Sequence, residues 1–479
     1  MFYDKTMPGA DYSASCAPVD GLQAVAEFDI LAPARTAIGG SSAAPAPERG
    51  TWFDEGYDFR EPEGTAFAAM VLDAIAVVDT GKNTRKGERL RNHEMIVRKL
   101  IANAVRCTVY HSPALVAVQR RASAYKGKAT WLNGKAMRRT TDLLAKAGLI
   151  EMVKGRHAVA STTITASPAL LFMALDAGIT EKCVIYRMPS DRNLRLRQGN
   201  RDSELVTFER TKERKAWAAQ LDDYNAFLSE QDIGIDLPPG QTDLLTARMN
   251  KERSKGKLPY VKPELLRKCL YRQFNNGSFS NGGRLYGGWW INCQKALRPH
   301  ITINGKPTVE LDYSGCMIRM LYHMDGIDYR DDPYGLDALA ACQPDNQLEE
   351  DYFREPNKRM LLALINGREG KHNERIKMPN KQTYQPHFSR TEIVEMLKAK
   401  HAPIARRFFT EVGIELQRLE SDIALGIITN LKAKGIVCLP IHDSFIVACE
   451  YEDELIFEMN NVYKSKLIYN SVIKRSVCY

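Results

Sequence analysis

The chain has 479 residues, of which 44% are hydrophobic and 26% charged, and its formal net charge is +9. This length is enough for two or three domains with buried cores. The longest apolar stretch, residues 66–78, is too short for a transmembrane helix and is interrupted by Asp73, so we expect no membrane partner. The ten cysteines form no CxxC pair and the N-terminus resembles no signal peptide, which predicts a cytoplasmic protein with reduced thiols and no zinc module.

The positive charge is concentrated in one segment of the chain. Residues 82–156 contain 18 Lys and Arg against 4 Asp and Glu, so the rest of the chain carries a net negative charge. A basic module beside a mildly acidic body favours a polyanionic partner for the module, in particular a nucleic acid. A basic surface without a ligand is the alternative interpretation.

Local composition and periodicity predict the first elements. Residues 1–62 are rich in Ala, Gly, Pro and Ser, which predicts a flexible segment. Helical spacing of apolar residues predicts helices over 63–80, 92–110 and 133–147, the last one ending before Gly148. Strands are predicted at 149–153 and 159–164, on either side of a basic turn. Residues 205–275 are predicted to be mainly helical and charged.

Helices followed by a strand, a turn and a strand resemble a winged helix-turn-helix, so we predict a DNA-binding domain over residues 63–185. A helical, thumb-like connector is predicted at 186–275. In a winged helix, one helix and the wing contact DNA, and such contacts are salt-sensitive. The residues expected to make them are Lys135, Arg138, Arg139 and Arg156. Modules of this kind also serve as protein–protein adaptors, which is the alternative.

Two carboxylates lie at the ends of predicted strands. Residues 309–314 end a strand at Asp312, and the apolar run 439–447 breaks at His442 and Asp443. That break predicts a β-hairpin with Asp443 at its tip. Two-metal phosphoryl transfer needs carboxylates held at fixed backbone positions. We therefore predict that Asp312 and Asp443 bind two Mg²⁺ ions, for which Mn²⁺ can substitute.

Two further motifs carry basic residues. Arg354 and Lys358 are four residues apart, so on a helix they share a face and can clamp a triphosphate. The alternative is a solvated basic face, and Pro356 is tolerated only in the first turn of such a helix. The Gly-rich segment 280–290 allows close backbone approach, and its Arg284 can reach a phosphate, whereas at least one of its tryptophans is expected to be core.

Five motifs follow one another along the C-terminal part of the chain. They are SxxGR at 280–284, DYSxxxIR at 312–319, RxxxK at 354–358, QxxxxD at 417–422 and HDSF at 442–445. This order resembles the motifs of the superfamily that joins family A DNA polymerases with single-subunit, phage-type RNA polymerases. The resemblance covers residues 270–450. It implies an α+β right-hand polymerase over residues 276–479, with an antiparallel palm sheet and helical fingers and thumb.

The resemblance also implies roles for individual residues. Asp312 and Asp443 would bind the metals, Lys358 and Arg354 would act on the triphosphate, and His442 would orient the hairpin or contact the nascent strand. The positions implied to contact the nucleotide are Tyr313, Met317, Arg354, Lys358, Asn366 and Gly367. Those implied to contact nucleic acid are Ser280, Arg284, Arg319 and Gln417. Ser444 is predicted to fix the turn. The acids predicted to be mostly solvated are Asp325, Asp328, Asp331 and Asp332.

Some positions depart from the pattern of these polymerases. Met317 stands where many of the DNA enzymes have Glu, and Asn366 stands where both groups usually have Tyr. HDSF is the form typical of the RNA polymerases, whereas DYSxxxIR is typical of the DNA polymerases.

We predict a DNA-templated polymerase that uses nucleoside triphosphates, has no proofreading exonuclease and makes DNA. A single-subunit RNA polymerase or primase is the first alternative. The second is a DNA-binding replication initiator or regulator with an inactive polymerase body, and the third is a template-independent terminal transferase. Whether a protein partner completes the fingers or thumb stays open.

Overall fold

The computed structural model describes residues 51–80, 85–109, 115–121, 125, 131–155, 161–199, 204–237, 240, 265–295, 297–340, 342, 352–368, 379 and 383–476. Residues 1–50 and Arg156, which the sequence analysis assigned to a flexible segment and to the wing, lie outside these ranges. The prediction of a flexible segment is wrong for residues 51–62, because short strands form there and bury Tyr57 and Phe59.

Helices and strands are interspersed along the described residues. In chain order, the helices are α1 (Glu63–Val78), α2 (Glu88–Val109), α3 (Gly134–Lys146), α4 (Pro168–Asp176), α5 (Lys212–Ser229), α6 (Cys316–Met324), α7 (Asp337–Ala340), α8 (Arg354–Asn366), α9 (Arg390–Lys400), α10 (Gly413–Ala433) and α11 (Glu452–Leu467). The strands are β1 (Thr51–Trp52), β2 (Tyr57–Phe59), β3 (Val116–Val118), β4 (Ile150–Val153), β5 (Thr162–Ala166), β6 (Val184–Tyr186), β7 (Leu194–Gln198), β8 (Glu204–Val206), β9 (Ile233–Ile235), β10 (Tyr271–Asn275), β11 (Ser278–Tyr286), β12 (Ile301–Ile303), β13 (Lys306–Tyr313), β14 (Leu439–Ile441), β15 (Ser444–Ala448) and β16 (Ile473–Arg475). Within these ranges, no helix is long and apolar enough to cross a membrane.

Four sheets organise the described strands. Two are four-stranded, with the orders β1-β3-β5-β4 and β11-β10-β7-β8, and a smaller one pairs β2 with β6. The largest is six-stranded, with the order β14-β15-β13-β12-β9 and with β16 also paired to β13. Most pairings are antiparallel, whereas β1 with β3 and β10 with β7 are parallel. The fold is therefore mixed α+β with mainly antiparallel sheets, as the sequence predicts at that level.

The N-terminal region has its own core, in which α2 and α3 pack against the β1-β3-β5-β4 sheet and α1 packs against both helices. The predicted helix 133–147 is confirmed as α3. It begins where the Asn133 side chain caps it by accepting a hydrogen bond from the Ala136 amide at 2.8 Å. Gly148 ends it in the left-handed region, with φ +73°. The sequence patterns did not predict β3 or α4. A strand as short as Val116–Val118 carries little periodicity to detect.

The middle of the chain differs from the prediction of a mainly helical connector. Only α5 is a long helix among its described residues, whereas β8, β9 and β10 are strands. The β10–β11 hairpin spans residues 271–286, so the predicted domain boundary at 275/276 falls inside it. A single core runs from Leu194 to Leu467 and joins this region to the C-terminal sheet. These strands form through pairing with other segments of the chain, since β9 pairs with β12 and β10 pairs with β7 and β11.

The six-stranded sheet packs against α10 and α11 and places strand ends β13 and β15 side by side. Its pairs run from Thr308 opposite Ala448 to Asp312 opposite Ser444. Trp290 is fully buried beside β14, where its indole N–H donates to the Pro440 carbonyl at 3.1 Å. The sequence prediction that at least one tryptophan of the Gly-rich segment is core is therefore confirmed.

Candidate active site

The ends of β13 and β15 bring two aspartates together that are far apart in sequence. Asp312 lies opposite Ser444, and the Tyr313 amide donates to the Asp443 carbonyl at 3.1 Å. Both aspartate side chains are half-buried. The antiparallel register therefore holds the two carboxylates at fixed backbone positions beside each other.

The electrostatics of the two acids reflect this proximity. Burial raises the pKa of Asp312, and the neighbouring carboxylates of Asp443 and Glu310 raise it further. Burial also raises the pKa of Asp443, and the cations of Arg284 and Lys358 offset this only in part. The charged forms of both acids are thus disfavoured in the absence of a further cation.

The donor set suits a hard divalent ion. Carboxylate oxygens are the preferred ligands of Mg²⁺, which often takes one or two of them and completes its shell with water and phosphate. In the described ranges, no group of three or more His, Cys, Asp or Glu side chains is arranged to hold a metal ion by itself. A metal at Asp312 and Asp443 would therefore take other ligands from substrate or solvent.

The turn between β14 and β15 is strained at His442. This residue has φ +60°, in the left-handed region that costs a non-glycine residue roughly 1–2 kcal/mol. Its Nδ1 atom is buried and has no hydrogen-bond partner among the described residues, and its ring contacts Tyr286 edge-on with centroids 5.5 Å apart. Burial, together with Arg284 and Arg298, lowers the pKa of His442 to about 4. A neutral imidazole thus precedes Asp443, and strain with an unpaired polar atom is typical of functional sites.

Ser444 and Glu310 brace this hairpin. The Ser444 hydroxyl donates to Glu310 Oε1 at 3.0 Å and lies 3.2 Å from the Ile441 carbonyl, so Ser444 fixes the turn as predicted. Arg298 donates to the same Glu310 oxygen at 2.6 Å. Glu310 was not predicted from the sequence. Its position two residues before Asp312, on the same face of β13, is a signal that strand periodicity could have supplied.

Arg284 reaches the site from β11 and is held by a buried acid that the sequence analysis also missed. It donates to both oxygens of Glu420 on α10, at 2.8 and 2.6 Å. Glu420 is 3% exposed, and burial raises its pKa to about 7, with Asp443 acting in the same direction and Arg284 against it. Of the other predicted nucleic-acid contacts, Ser280 is exposed on β11 and Gln417 is half-buried on α10.

The predicted basic helix exists as α8, with Pro356 in its first turn. Lys358 is half-buried and acts electrostatically on both Asp312 and Asp443. Arg354 instead donates to Asp332 at 2.9 Å and lies over the Tyr334 ring at 4.9 Å. The structure thus directs Lys358 towards the acids and holds Arg354 on an adjacent loop.

The far end of α8 carries Asn366 and Gly367. The Asn366 amide donates to the Leu362 carbonyl at 2.8 Å. Its oxygen also lies so close to Gly413 that a Cβ there would be 2.1 Å away. Gly367 caps α8 with ordinary negative φ. Met317, half-buried in the first turn of α6, lies a few residues beyond Asp312 and is the better placed of the predicted nucleotide-contact residues outside α8.

Two predicted contact residues are corrected by the structure. Tyr313 is 2% exposed, and its hydroxyl donates to the Met459 carbonyl at 2.6 Å, because strand alternation turns it into the core behind Asp312. Arg319 is also 2% exposed. Its guanidinium donates to the carbonyls of Ser314, Tyr329 and Asp331. It therefore holds the loop after α6 instead of facing a nucleic acid.

The acids of that loop are partly corrected as well. Asp328, Asp331 and Asp332 are exposed, as predicted. Asp325 is not solvated: its side chain is 8% exposed and is paired with Arg406 and Arg407. These pairs assign Asp325 a structural role.

The predicted DNA-contact residues of the N-terminal region lie on the helix α3. Lys135 and Arg139 are exposed, and Arg138 lies beside Arg139 on the same helix. Arg138 donates to the Arg120 carbonyl at 2.9 Å, and Arg139 pairs with Asp79 at 3.0 Å. The structure thus gathers these cations on one helix, although two of them already have intramolecular partners.

Comparison with known proteins adds no further assignment. No protein-family model matches the chain, and no curated protein matches its sequence.

Proposed function

We propose that the protein is a template-directed nucleic-acid polymerase, which transfers a nucleotidyl group from a nucleoside triphosphate to a 3′-hydroxyl. The observation that carries this proposal is the convergence of Asp312, Asp443 and Lys358 from distant parts of the chain. Acids with perturbed pKa values cluster at functional sites. Carboxylates for metal ions and a lysine for a leaving phosphate are the parts that phosphoryl transfer requires.

The architecture supports this proposal. In this proposal, the antiparallel sheet that carries both acids would serve as the palm of a right-hand polymerase, and α8 would serve as a fingers helix. In the N-terminal region, β3 lies between α2 and α3 in the chain, β4 and β5 follow α3, and in the sheet β5 lies between β3 and β4. That order is typical of a winged helix and supports a DNA-binding role for it.

Asp312 and Asp443 would hold Mg²⁺ at the site. When bound, Mg²⁺ lowers the pKa of an attacking hydroxyl and stabilises charge on the leaving group. Lys358 Nζ would neutralise the departing pyrophosphate and donate a proton to it, a role that contributes about 10²–10⁴-fold in other enzymes. Arg354 would exchange Asp332 for a substrate phosphate, since charge-assisted bonds to phosphate are strong. Glu310 and Ser444 keep the two strands in register.

The identity of the sugar is a second question for the same site. We favour a DNA template and a DNA product. Since the Asn366 amide is occupied by the Leu362 carbonyl and packed against Gly413, Met317 is left as the side chain that could obstruct a ribose 2′-hydroxyl. A methionine side chain is flexible, which keeps an RNA polymerase or primase as the alternative function.

The proposal is tested by nucleotide incorporation with the full chain and Mg²⁺. Primed and unprimed DNA templates are each incubated with dNTPs and with NTPs, using wild type, Asp443→Asn and the exposed control Asp331→Asn. We expect primer-dependent dNTP incorporation that Asp443→Asn abolishes and Asp331→Asn retains. Unprimed NTP incorporation would establish the RNA polymerase or primase alternative.

Two other outcomes contradict the proposal. Incorporation without a template would identify a terminal transferase. The absence of incorporation in every lane, with DNA binding retained, would instead identify a DNA-binding replication initiator or regulator. Thermal unfolding of each variant shows whether a loss of activity reflects a loss of folding.

A further inference from the structure

One face of the β11-β10-β7-β8 sheet continues directly from the candidate active site. Its side chains are half-buried, and they are Arg195, Arg197, Tyr271, Gln273, Arg284 and Tyr286. The register places Gln273 between Arg195 on β7 and Arg284 on β11, and Tyr271 opposite Tyr286. We call these six residues the arginine–tyrosine face. The opposite face is core and includes Leu194, Phe274 and Leu285.

A continuous series of side-chain contacts links this face to the β14–β15 hairpin, which carries His442 and Asp443. His442 contacts the Tyr286 ring, and the Tyr286 and Tyr271 rings are nearly parallel, at 29°, with centroids 5.9 Å apart. The Arg195 guanidinium lies 3.5 Å above the Tyr271 ring. On the same face, Arg197 donates to Gln273 at 3.0 Å. The cations and rings are therefore held in place, starting from the residue that precedes Asp443.

The positive charge of this face favours an anionic ligand. Arg284 is paired with Glu420, but Arg195 has no ion-pair partner among the residues that the structure describes; it donates to the Arg192 carbonyl at 3.3 Å. Stacked arginine and tyrosine side chains bind sugar and base surfaces while the guanidinium edges reach phosphates. An acidic peptide would use the charges but not the parallel rings.

We propose that the arginine–tyrosine face binds the polynucleotide strand whose 3′ end is extended at Asp312 and Asp443. This inference rests on the proposed function, and it adds β7 and β10, which no sequence motif marked. Strands in a sheet are about 4.8 Å apart, so β11 and β7 are separated by about 10 Å. A nucleic-acid strand carries one charge per about 3.4 Å of helix axis, so the face spans about three phosphates.

The test measures binding without nucleotides or Mg²⁺, and so does not depend on turnover. A fluorescein-labelled DNA primer–template is titrated with the full chain at several salt concentrations, using wild type, Arg195→Gln, Arg197→Gln and the double variant. Lys466→Gln is the matched control, because it removes one exposed cation from α11. An RNA primer on the same template provides a second probe.

We expect each single variant to weaken binding several-fold and to reduce the salt slope by about 1, and the double variant to lose roughly tenfold or more. Lys466→Gln should bind like wild type. A double variant with the affinity and slope of wild type would overturn the inference, even if the wild type incorporates nucleotides. If nothing is incorporated but the double variant still loses affinity, the proposed polymerase function fails and the face remains a polynucleotide site.

A second measurement uses the unmodified protein and so cannot be affected by misfolding. A primer with a photoreactive base within the last three nucleotides of its 3′ end is cross-linked to wild type, and the attached peptide is identified. Cross-links to β7 or β10 support the inference. Cross-links confined to other segments overturn it.

Discussion

Half-buried aspartates have opposite pKa shifts in two parts of the molecule. In the N-terminal region, burial raises the pKa of Asp58, but Lys99 at 2.8 Å and Arg98 outweigh it, so the net pKa is below its usual value. In the C-terminal sheet, the pKa values of Asp312 and Asp443 are raised, because burial and neighbouring acids outweigh Lys358. The fold stabilises the charge of the first acid, whereas it opposes the charges of the other two.

This difference distinguishes charged residues that stabilise the fold from charged residues that are available to a ligand. A buried acid that is fully paired stabilises the fold and has little capacity left for a ligand. Acids buried beside one another destabilise the fold unless an ion binds, which is the behaviour expected of a metal site. The same distinction applies to the cations, since Arg319 is satisfied by backbone carbonyls whereas Lys358 faces the acids.

The largest expected effect comes from removing the cation that faces the acids. Lys358→Met should lower the single-turnover incorporation rate by about 10²–10³-fold, because no group then neutralises the leaving pyrophosphate. Arg359→Met is the matched control, since Arg359 is 56% exposed and pairs with Glu355. Equal incorporation rates for both variants would show that Lys358, which faces the acids, contributes no more to catalysis than the exposed Arg359.

The next effect concerns the pH dependence of stability. The folded-state pKa of Glu420 is about 7, against an ordinary value of 4.5. Between pH 4.5 and 7, Glu420 is protonated in the folded state and ionised in the unfolded state. The free energy of unfolding therefore falls as pH rises through this range. Because glutamine does not titrate, Glu420→Gln should make the fall in the free energy of unfolding smaller by up to about 3 kcal/mol. Chemical denaturation at mildly acidic and mildly alkaline pH measures it, and parallel pH profiles for both proteins would contradict it.

A third pair of variants tests the comparison directly. Asp58→Asn should lower the free energy of unfolding by about 2 kcal/mol, because it removes the carboxylate that pairs with Lys99 and leaves Arg98 with Glu61 alone. In the absence of Mg²⁺, Asp312→Asn should raise it by about 1 kcal/mol, because it removes a repelled charge. Urea denaturation in EDTA gives both values, with Asp331→Asn as the exposed control. If both variants changed the free energy of unfolding in the same direction, the distinction between the paired and the repelled aspartates would be refuted.

The smallest effect concerns the N-terminal cations. Lys135→Gln should weaken binding of duplex DNA a few-fold and reduce the salt slope by about 1, since Lys135 is exposed on α3. Asp79→Asn should strengthen binding by a similar factor, because it releases Arg139 and Arg85 from their ion pairs. Fluorescence anisotropy measures both changes. If neither variant alters the slope, this surface serves as a protein–protein adaptor or has no ligand.

Local patterns in the sequence predicted the elements that depend on local interactions. The helices over 63–80 and 133–147 and the hairpin at 439–447 carry their own periodicity, caps and turn, so α1, α3 and β14–β15 lie close to where they were expected. The strand β9 was missed because it has three residues and its partner β12 is distant in sequence. The strand β10 pairs with the distant β7 as well as with β11, which follows it in a hairpin.

The candidate site divides in the same way. The sequence identified Asp312, Asp443 and Lys358, whose spacing within motifs is local information. It missed Glu310 and Glu420, whose importance comes from Ser444 and Arg284 reaching them across the fold. It also assigned nucleic-acid or nucleotide contacts to residues that packing turns inward.

The sequence by itself therefore determined which residues are candidates for the chemistry, the basic character of the N-terminal region and the class of the fold. Only the tertiary structure decided which charges are satisfied and which are opposed by their surroundings. The physical reason is that a charge is stabilised or destabilised by its neighbours and by burial, and both arise from strand pairing and packing between segments that the chain separates widely.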